Sequence, residues 1–388
     1  EYNRLVSSTE AVYKEFFKLL KALTNENDSL LKKMFFTGVS PLALFDVTSG
    51  SNIGINITND YPFNEIVGIT KEEFKDLRDY YQIELNEDEL KNIDSWYDNY
   101  RFNEDVKNSI YNTDMILYYI NKFRINKKAP KDLVDINVRT DYGKLKYLVH
   151  NNNRLNGNFN VLKELFANDY LIVETIKDSF SAEELTKQEN FISLLYYLGL
   201  VTIDSFSLKG IKLKIPNQTI RRIMAEFVNS MLLDTKTFAV DLSYFHTLMV
   251  ELVSEDSLEA IKYIAKELKD NTSIRDLVNQ ENDIKMFYMV YFSLNKLYAS
   301  IPEMELNKGY ADIVLLKAPN IDEDIPNFLI EFKFFKQSEN VTKEKLNQTI
   351  NQAKKQVAQY KQTSKYRIDK GIIAIFKGFE LLYCEWEG

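Results

Sequence analysis

The sequence predicts an α/β protein with a helical middle, and three observations predict it. Near the N-terminus a helix-period segment runs into a short apolar stretch. From about 113 to 270 one amphipathic helical pattern follows another. The last 120 residues then alternate in the order helix, three strands, helix, two strands. At 388 residues the chain is long enough for two or three cores of ordinary size.

Taken in order, Val12, Phe16, Leu19, Leu20, Leu23 and Leu30 recur at helical spacing among Lys and Glu within 10–33. Lys33-Met34-Phe35-Phe36-Thr37-Gly38-Val39-Ser40 then reads as a buried strand ending in a turn. Thr70, with Glu73 three residues on, predicts a capping box that opens a helix. The segment 86–103 ends in Trp96-Tyr97-Asp98-Asn99-Tyr100-Arg101-Phe102, too aromatic for a free loop. Helices follow at 160–167, 182–195, 218–233 and 257–268, with a strand pair at 197–206 and 210–215. A helix over 282–298 leads into strands at 303–306, 309–316 and 328–334. A charged helix over 339–362 and strands at 370–376 and 379–385, joined at Lys377-Gly378, complete the order.

Composition narrows the chemistry. Apolar residues make up 45% and charged residues 27%, with 12 Gly and 7 Pro, which excludes collagen-like and disordered classes. Cys384 is the sole cysteine, so there is no intrachain disulfide and no zinc site of several thiolates, and a reducing, cytoplasmic setting is expected. His150 and His246 stand far apart in no ligand spacing, which leaves any metal to carboxylates. No apolar stretch approaches the length of a membrane span, so no membrane partner is expected. The sequence starts at Glu1 rather than Met and reads as a fragment or processed piece. Nothing in it indicates an oligomeric state. The net charge of -8 means that a nucleic-acid partner needs a local basic face. Residues 331–370 offer one, with ten Lys and Arg against four Asp and Glu, although such a run is also what a solvated helix face looks like.

Two carboxylates stand out. Asp312 and Glu331 lie in apolar strand runs, where an ionised group is costly unless something compensates it. Side chains alternate along a strand, so Glu331 and Lys333 share one face and Ile330, Phe332 and Phe334 the other. If the two runs pair as a hairpin, Asp312, Glu331 and Lys333 converge at one edge. Hard oxygen ligands of this kind suit Mg²⁺ (or Mn²⁺), and the lysine then orients or helps deprotonate a metal-bound water, or stabilises charge growing on a phosphate. The alternative is a structural ion pair with Lys333. The tripeptide acid-x-Lys is not distinctive by itself. Glu73-Phe74-Lys75, Glu89-Leu90-Lys91, Glu267-Leu268-Lys269 and Asp283-Ile284-Lys285 repeat it in charged helical settings, where surface positions are expected.

Gly309-Tyr310-Ala311-Asp312-Ile313-Val314, Ile330-Glu331-Phe332-Lys333 and Gln356-Val357-Ala358-Gln359-Tyr360 together resemble the PD-(D/E)XK nuclease superfamily, in the branch fused to an AAA-ATPase-like module. The resemblance implies a restriction-endonuclease-like mixed sheet flanked by helices, with Asp312 and Glu331 as metal ligands and Lys333 as the catalytic lysine. It also implies a supporting Gln-x-x-x-Tyr element, here Gln356 and Tyr360, and a first-helix glutamate ligand, for which Glu281 is the nearest candidate and Glu303 and Glu305 compete. In the N-terminal part, Phe36-Thr37-Gly38-Val39-Ser40-Pro41 resembles a late ATPase strand and Trp96 to Phe102 the stretch WYDGYRF, with Asn99 in place of glycine; Glu1-Tyr2-Asn3 is similar to the tail of a Walker B-like strand. No Gly-x-x-x-x-Gly-Lys-Ser/Thr loop is present, so this chain alone is not expected to hold ATP.

The organisation expected is therefore a partial P-loop-ATPase-like α/β segment at 1–124, a helical middle domain at 125–270 and a nuclease-like domain at 271–388. The activity implied is metal-dependent hydrolysis of phosphodiester bonds, with DNA as the partner and Lys336, Lys354 and Lys355 tracking its phosphates. The alternatives are a catalytically silent nuclease fold that serves as a binding module, and an ATP-driven machine whose motor loop lies outside this sequence.

Overall fold

The computed structural model describes residues 12, 15–20, 22–23, 31–38, 55–135, 145, 148–151, 154–178, 180, 184–271, 278–363 and 366–387. Residues 12, 15–20 and 22–23 are helical, in line with the spacing of Phe16, Leu19 and Leu23. The expected strand at 33–40 does not form within its described part. Residues 31–38 have no regular structure, and Phe35 and Phe36 are 62% and 41% exposed. An apolar run makes a strand only where a neighbour supplies a ladder, and among the described residues none pairs with this one, while the Phe36 ring lies 5.5 Å from that of Phe17. Val39 and Ser40, like Glu1-Tyr2-Asn3, lie outside the described residues.

Three helices follow, α1 (Lys71–Tyr81), α2 (Glu87–Tyr97) and α3 (Thr113–Asn126). The capping box at α1 is complete: the Thr70 hydroxyl accepts from the Glu73 N–H and the Glu73 carboxylate accepts from the Thr70 N–H. Asn86 and Glu89 repeat it at α2. At the end of α2 Trp96 and Tyr97 are buried, and so is Tyr100 just beyond it, as the aromatic content of this stretch demands. Asn99 holds a left-handed φ of 78°, a conformation that glycine adopts freely and asparagine tolerates best among the other residues. This turn clamps two later elements. Thr219 donates to the Trp96 carbonyl, Asn217 to the Asp98 carbonyl, and Arg101 to the Asp204 carbonyl.

The middle of the chain holds a two-residue strand pair, β1 (His150–Asn151) and β2 (Arg154–Leu155), then α4 (Gly157–Asn168) and β3 (Tyr170–Val173). Next come α5 (Gln188–Tyr197), β4 (Thr202–Ser207), β5 (Gly210–Lys214), α6 (Gln218–Asp234), α7 (Leu242–Ser254) and α8 (Glu259–Asp270). The expected hairpin forms as β4–β5, although its first strand starts at Thr202 rather than at 197, which closes α5, and β5 also pairs with β3, giving a three-stranded antiparallel sheet in the order β3-β5-β4. Helix α5 begins at Gln188 rather than at 182.

The last part is α9 (Glu281–Leu294), β6 (Tyr298–Leu306), β7 (Gly309–Lys317), β8 (Phe328–Phe335), α10 (Lys343–Lys361), β9 (Lys370–Lys377) and β10 (Glu380–Glu387). The five strands form one sheet in the order β10-β9-β8-β7-β6. β6, β7 and β8 run antiparallel, α10 crosses over to bring β9 parallel to β8, and β10 returns antiparallel. Such a mixed sheet between helices fits the expected nuclease-like fold. β8 is buried on both faces, which is why it reads as a near-continuous apolar run. Phe328, Ile330 and Phe332 join the main core with α9, where the Tyr288 and Phe332 rings lie 5.0 Å apart. Leu329 on the other face packs with Val357 and Tyr360 of α10. Helix α9 also packs on α4 and α6, so apolar neighbours surround it and every residue from Asp283 to Ser293 is buried. Among the described residues no helix is long and apolar enough to cross a membrane.

Candidate active site

β7 and β8 pair at Ile313↔Ile330, Val314↔Leu329 and Leu315↔Phe328, and there the ladder stops. Asp312 and Glu331 are the next positions along. In place of a further ladder bond, the Phe332 N–H donates to Asp312 Oδ2 at 2.7 Å. The side chain thus satisfies the backbone where the strands part, and the opening holds an acidic edge. Asp312 is 8% and Glu331 2% exposed. Lys333 lies on the same face of β8 as Glu331 and donates to Glu331 Oε1 at 2.6 Å. Glu331 Oε2 is buried and has no hydrogen-bond partner.

Helix α9 brings two more charged side chains. Glu281, in its first turn, is close enough to Asp312, Lys333, Lys285 and Glu303 to feel the charge of each. Lys285, one turn on, donates to Asp312 Oδ1 at 3.0 Å and to Glu303. This corrects the sequence reading. Asp283-Ile284-Lys285 was expected on a surface, yet Asp283 is 2% and Lys285 1% exposed. Asp283 caps its own helix by accepting from the Gln280 N–H and pairs with Lys163 at 2.6 Å. The other three tripeptides end in the exposed lysines Lys75, Lys91 and Lys269, as expected. The signal for Lys285 was the run from Met286 to Phe292, which is apolar on every side of the helix and marks it as buried. Glu303 is half-buried and bound to Lys285, whereas Glu305 is exposed.

Electrostatics follow from this crowding. Burial first, then the charge of Asp312, pushes the Glu331 carboxyl up to about 7, against the opposing pull of Lys333. The same two causes push Glu281 up to about 7. For Lys333 burial works toward neutrality, but Glu331 and Asp312 outweigh it and hold the ammonium above its ordinary value. Lys285 is held up in the same way by Asp312 and Glu303. With all four carboxyls ionised they face two ammonium groups with an excess of two negative charges, and protons on Glu281 and Glu331 offset part of that excess near neutral pH until a cation takes their place. Among the described residues no group of three or more His, Cys, Asp or Glu side chains converges as ligands. Two carboxylates with an orphaned oxygen and a twofold negative excess do fit one hard divalent ion that keeps part of its water shell.

On α10, Gln356 donates to the Tyr360 hydroxyl at 3.5 Å, and Gln356 Oε1 is a second buried acceptor with no partner. Burial, then Glu331, raises the Tyr360 hydroxyl. Tyr360 covers Gly309, where an added Cβ would stand 2.5 Å from Tyr360 Cε1. Gly309→Ala is therefore expected to push the ring off Gln356 and to destabilise the chain by about 1–3 kcal/mol, the usual cost of overpacking. Thermal melting of the full chain checks it, and an unchanged midpoint would show that the ring has room to move.

Of the lysines expected to meet phosphates, Lys336 and Lys355 are exposed and Lys354 is half-buried in an ion pair with Glu387 at 3.4 Å. Cys384 is half-buried in β10, and burial pushes its thiol up to about 12, far from nucleophilic use at neutral pH. His246 contacts Asn295, not the acidic edge. No curated protein matches the chain. Residues 279–386 do match a family model, and they run from just before α9 into β10, so they contain Glu281, Lys285, Asp312, Glu331, Lys333, Gln356 and Tyr360. That family is the PD-(D/E)XK nuclease superfamily, and this segment of the chain is a domain of it.

Proposed function

We propose that the domain is a working nuclease that hydrolyses phosphodiester bonds, with DNA as its substrate, in the cytoplasm, and with Mg²⁺ or Mn²⁺ held by Asp312 and Glu331 while Glu281 adds its charge beside them. The observation that carries this reading is Glu331 Oε2, an unpaired buried carboxylate oxygen in a site with two surplus negative charges. A purely structural acid in such a place is normally satisfied. When bound, the ion supplies a polarised phosphoryl oxygen and a water of lowered pKa.

The chain's own groups do the rest. Lys333 keeps its proton at neutral pH, so it acts as a donor and a positive charge beside the reacting phosphate rather than as a base. Its distance of 2.6 Å to Glu331 ties it to the same edge. Gln356 carries a free acceptor with which to hold a water beside Tyr360. Lys336, Lys354 and Lys355 are proposed to contact phosphates of the backbone, and the N-terminal part, through its Trp96 to Phe102 turn, to be an ATPase-like module that positions the domain. Asn99 in a glycine-like conformation supports that last assignment. The test is a cleavage assay of the full chain on single- and double-stranded DNA and RNA. Products are expected with Mg²⁺ or Mn²⁺ and none with a chelator. Tight binding without cleavage on every substrate would instead favour a silent binding module.

A further inference from the structure

We infer that the Lys285 ammonium stands where a second metal ion would bind, so that this site takes one divalent ion rather than two. The inference rests on the nuclease reading above and deepens it. Two-metal sites place their ions about 3.5–4 Å apart and need carboxylates that reach both. Asp312 is the carboxylate placed to bridge here, but its Oδ1 is 3.0 Å from Lys285 Nζ, and the same nitrogen also binds Glu303. A buried lysine is costly unless it is fully paired, and this one is 1% exposed with two carboxylates around it.

The backbone is arranged around the same nitrogen. β6 and β7 pair at Pro302↔Ile313 and again at Met304↔Ala311, and the position skipped is Glu303 opposite Asp312. Glu303 has a φ of 48°, a left-handed conformation that is unfavourable for a non-glycine residue and persists only where the surroundings enforce it. The two carboxylates that flank the gap are the two that hold Lys285. Charge completes the argument. Glu281, Glu303, Asp312 and Glu331 against Lys285 and Lys333 leave two negative charges, which a single divalent ion neutralises. A second ion would leave the buried site positive by two.

The experiment counts Mn²⁺ ions bound per full-length chain, from the electron paramagnetic resonance signal of the free ion, with a cleavage assay run in parallel. The parent is expected to bind one ion and Asp312→Asn none. Lys285→Gln, which removes the charge and keeps most of the shape, is expected to bind two, and Lys285→Arg one. A parent that binds two ions and cleaves overturns this inference and leaves the nuclease reading standing. A folded Lys285→Gln chain that still binds one ion reduces Lys285 to a structural role and also overturns it. Should Lys285→Gln fail to fold, the parent and Lys285→Arg decide, since two ions in either one are incompatible with an ammonium or guanidinium in that place. No Mn²⁺ bound and no cleavage removes the nuclease reading together with the inference.

Discussion

Lys333→Met is expected to lower cleavage by roughly 10²–10³-fold with the chain still folded, the loss typical when one charge-stabilising donor is removed from a transition state. The side chain is 21% exposed, and methionine keeps a comparable unbranched stem while deleting the charge. Two things are lost with it. The reacting phosphate no longer faces an ammonium, and Glu331 no longer has the partner at 2.6 Å that pulls its carboxyl down. Glu331 should then hold its proton to still higher pH and yield it less readily to a metal ion. The loss should accordingly appear in kcat and be partly recovered as the pH is raised. Lys333→Arg restores charge but not the compact geometry of the ammonium, and is expected to recover only part of the rate. A Lys333→Met protein within about threefold of the parent would mean that Lys333 only neutralises Glu331 for the fold, and the catalytic assignment would fall.

The core of the site was legible because a strand obeys a short rule. Alternation put Glu331 and Lys333 on one face of an apolar run, and a second acid-bearing run supplied Asp312, so the convergence at the β7–β8 opening needed only a hairpin. Tyr360 and Gln356 came from a resemblance, and their contact depends on α10 lying over the sheet. Lys285 was not legible from local pattern. Its burial comes from α9 packing on the sheet, where its ammonium meets Glu303 of β6 and Asp312 of β7, contacts that its own tripeptide, so like the other three whose lysines are exposed, does not announce. Residues 31–38 failed for the converse reason: the apolar run is there, but no described neighbour pairs with it. β3 was missed because four residues, Tyr170–Val173, become a strand only by pairing with β5 from forty residues away.

Raising the pH from about 5 to about 8 should destabilise the metal-free chain, and divalent ions should reverse the trend. Glu281 and Glu331 are both pushed from 4.5 to about 7 by burial and then by Asp312. A carboxyl whose folded pKa is raised binds its proton more tightly in the folded state. The stability it contributes is complete below its unfolded value and is lost as the pH rises from about 4.5 through about 7. At about 1.4 kcal/mol per pH unit of separation, each group accounts for roughly 3 kcal/mol over that window. Mg²⁺ or Mn²⁺ competes for the same carboxylates and requires them ionised. Binding should therefore release protons near neutral pH, and the metal-induced rise in melting temperature should be small at about pH 5 and largest near pH 8. At a hundredfold excess over the dissociation constant the ion should restore about 2.7 kcal/mol. Burial also raises Glu164 and Asp169, so the measured slope carries more than this site. The quantity to read is the difference between the parent and Glu331→Gln, which has no proton to lose at 331. That variant should melt above the metal-free parent near pH 8 and respond little to Mn²⁺. If the parent and Glu331→Gln show the same pH slope and the same response to Mn²⁺, Glu331 neither carries the surplus charge nor holds the ion, and the site as built here is wrong.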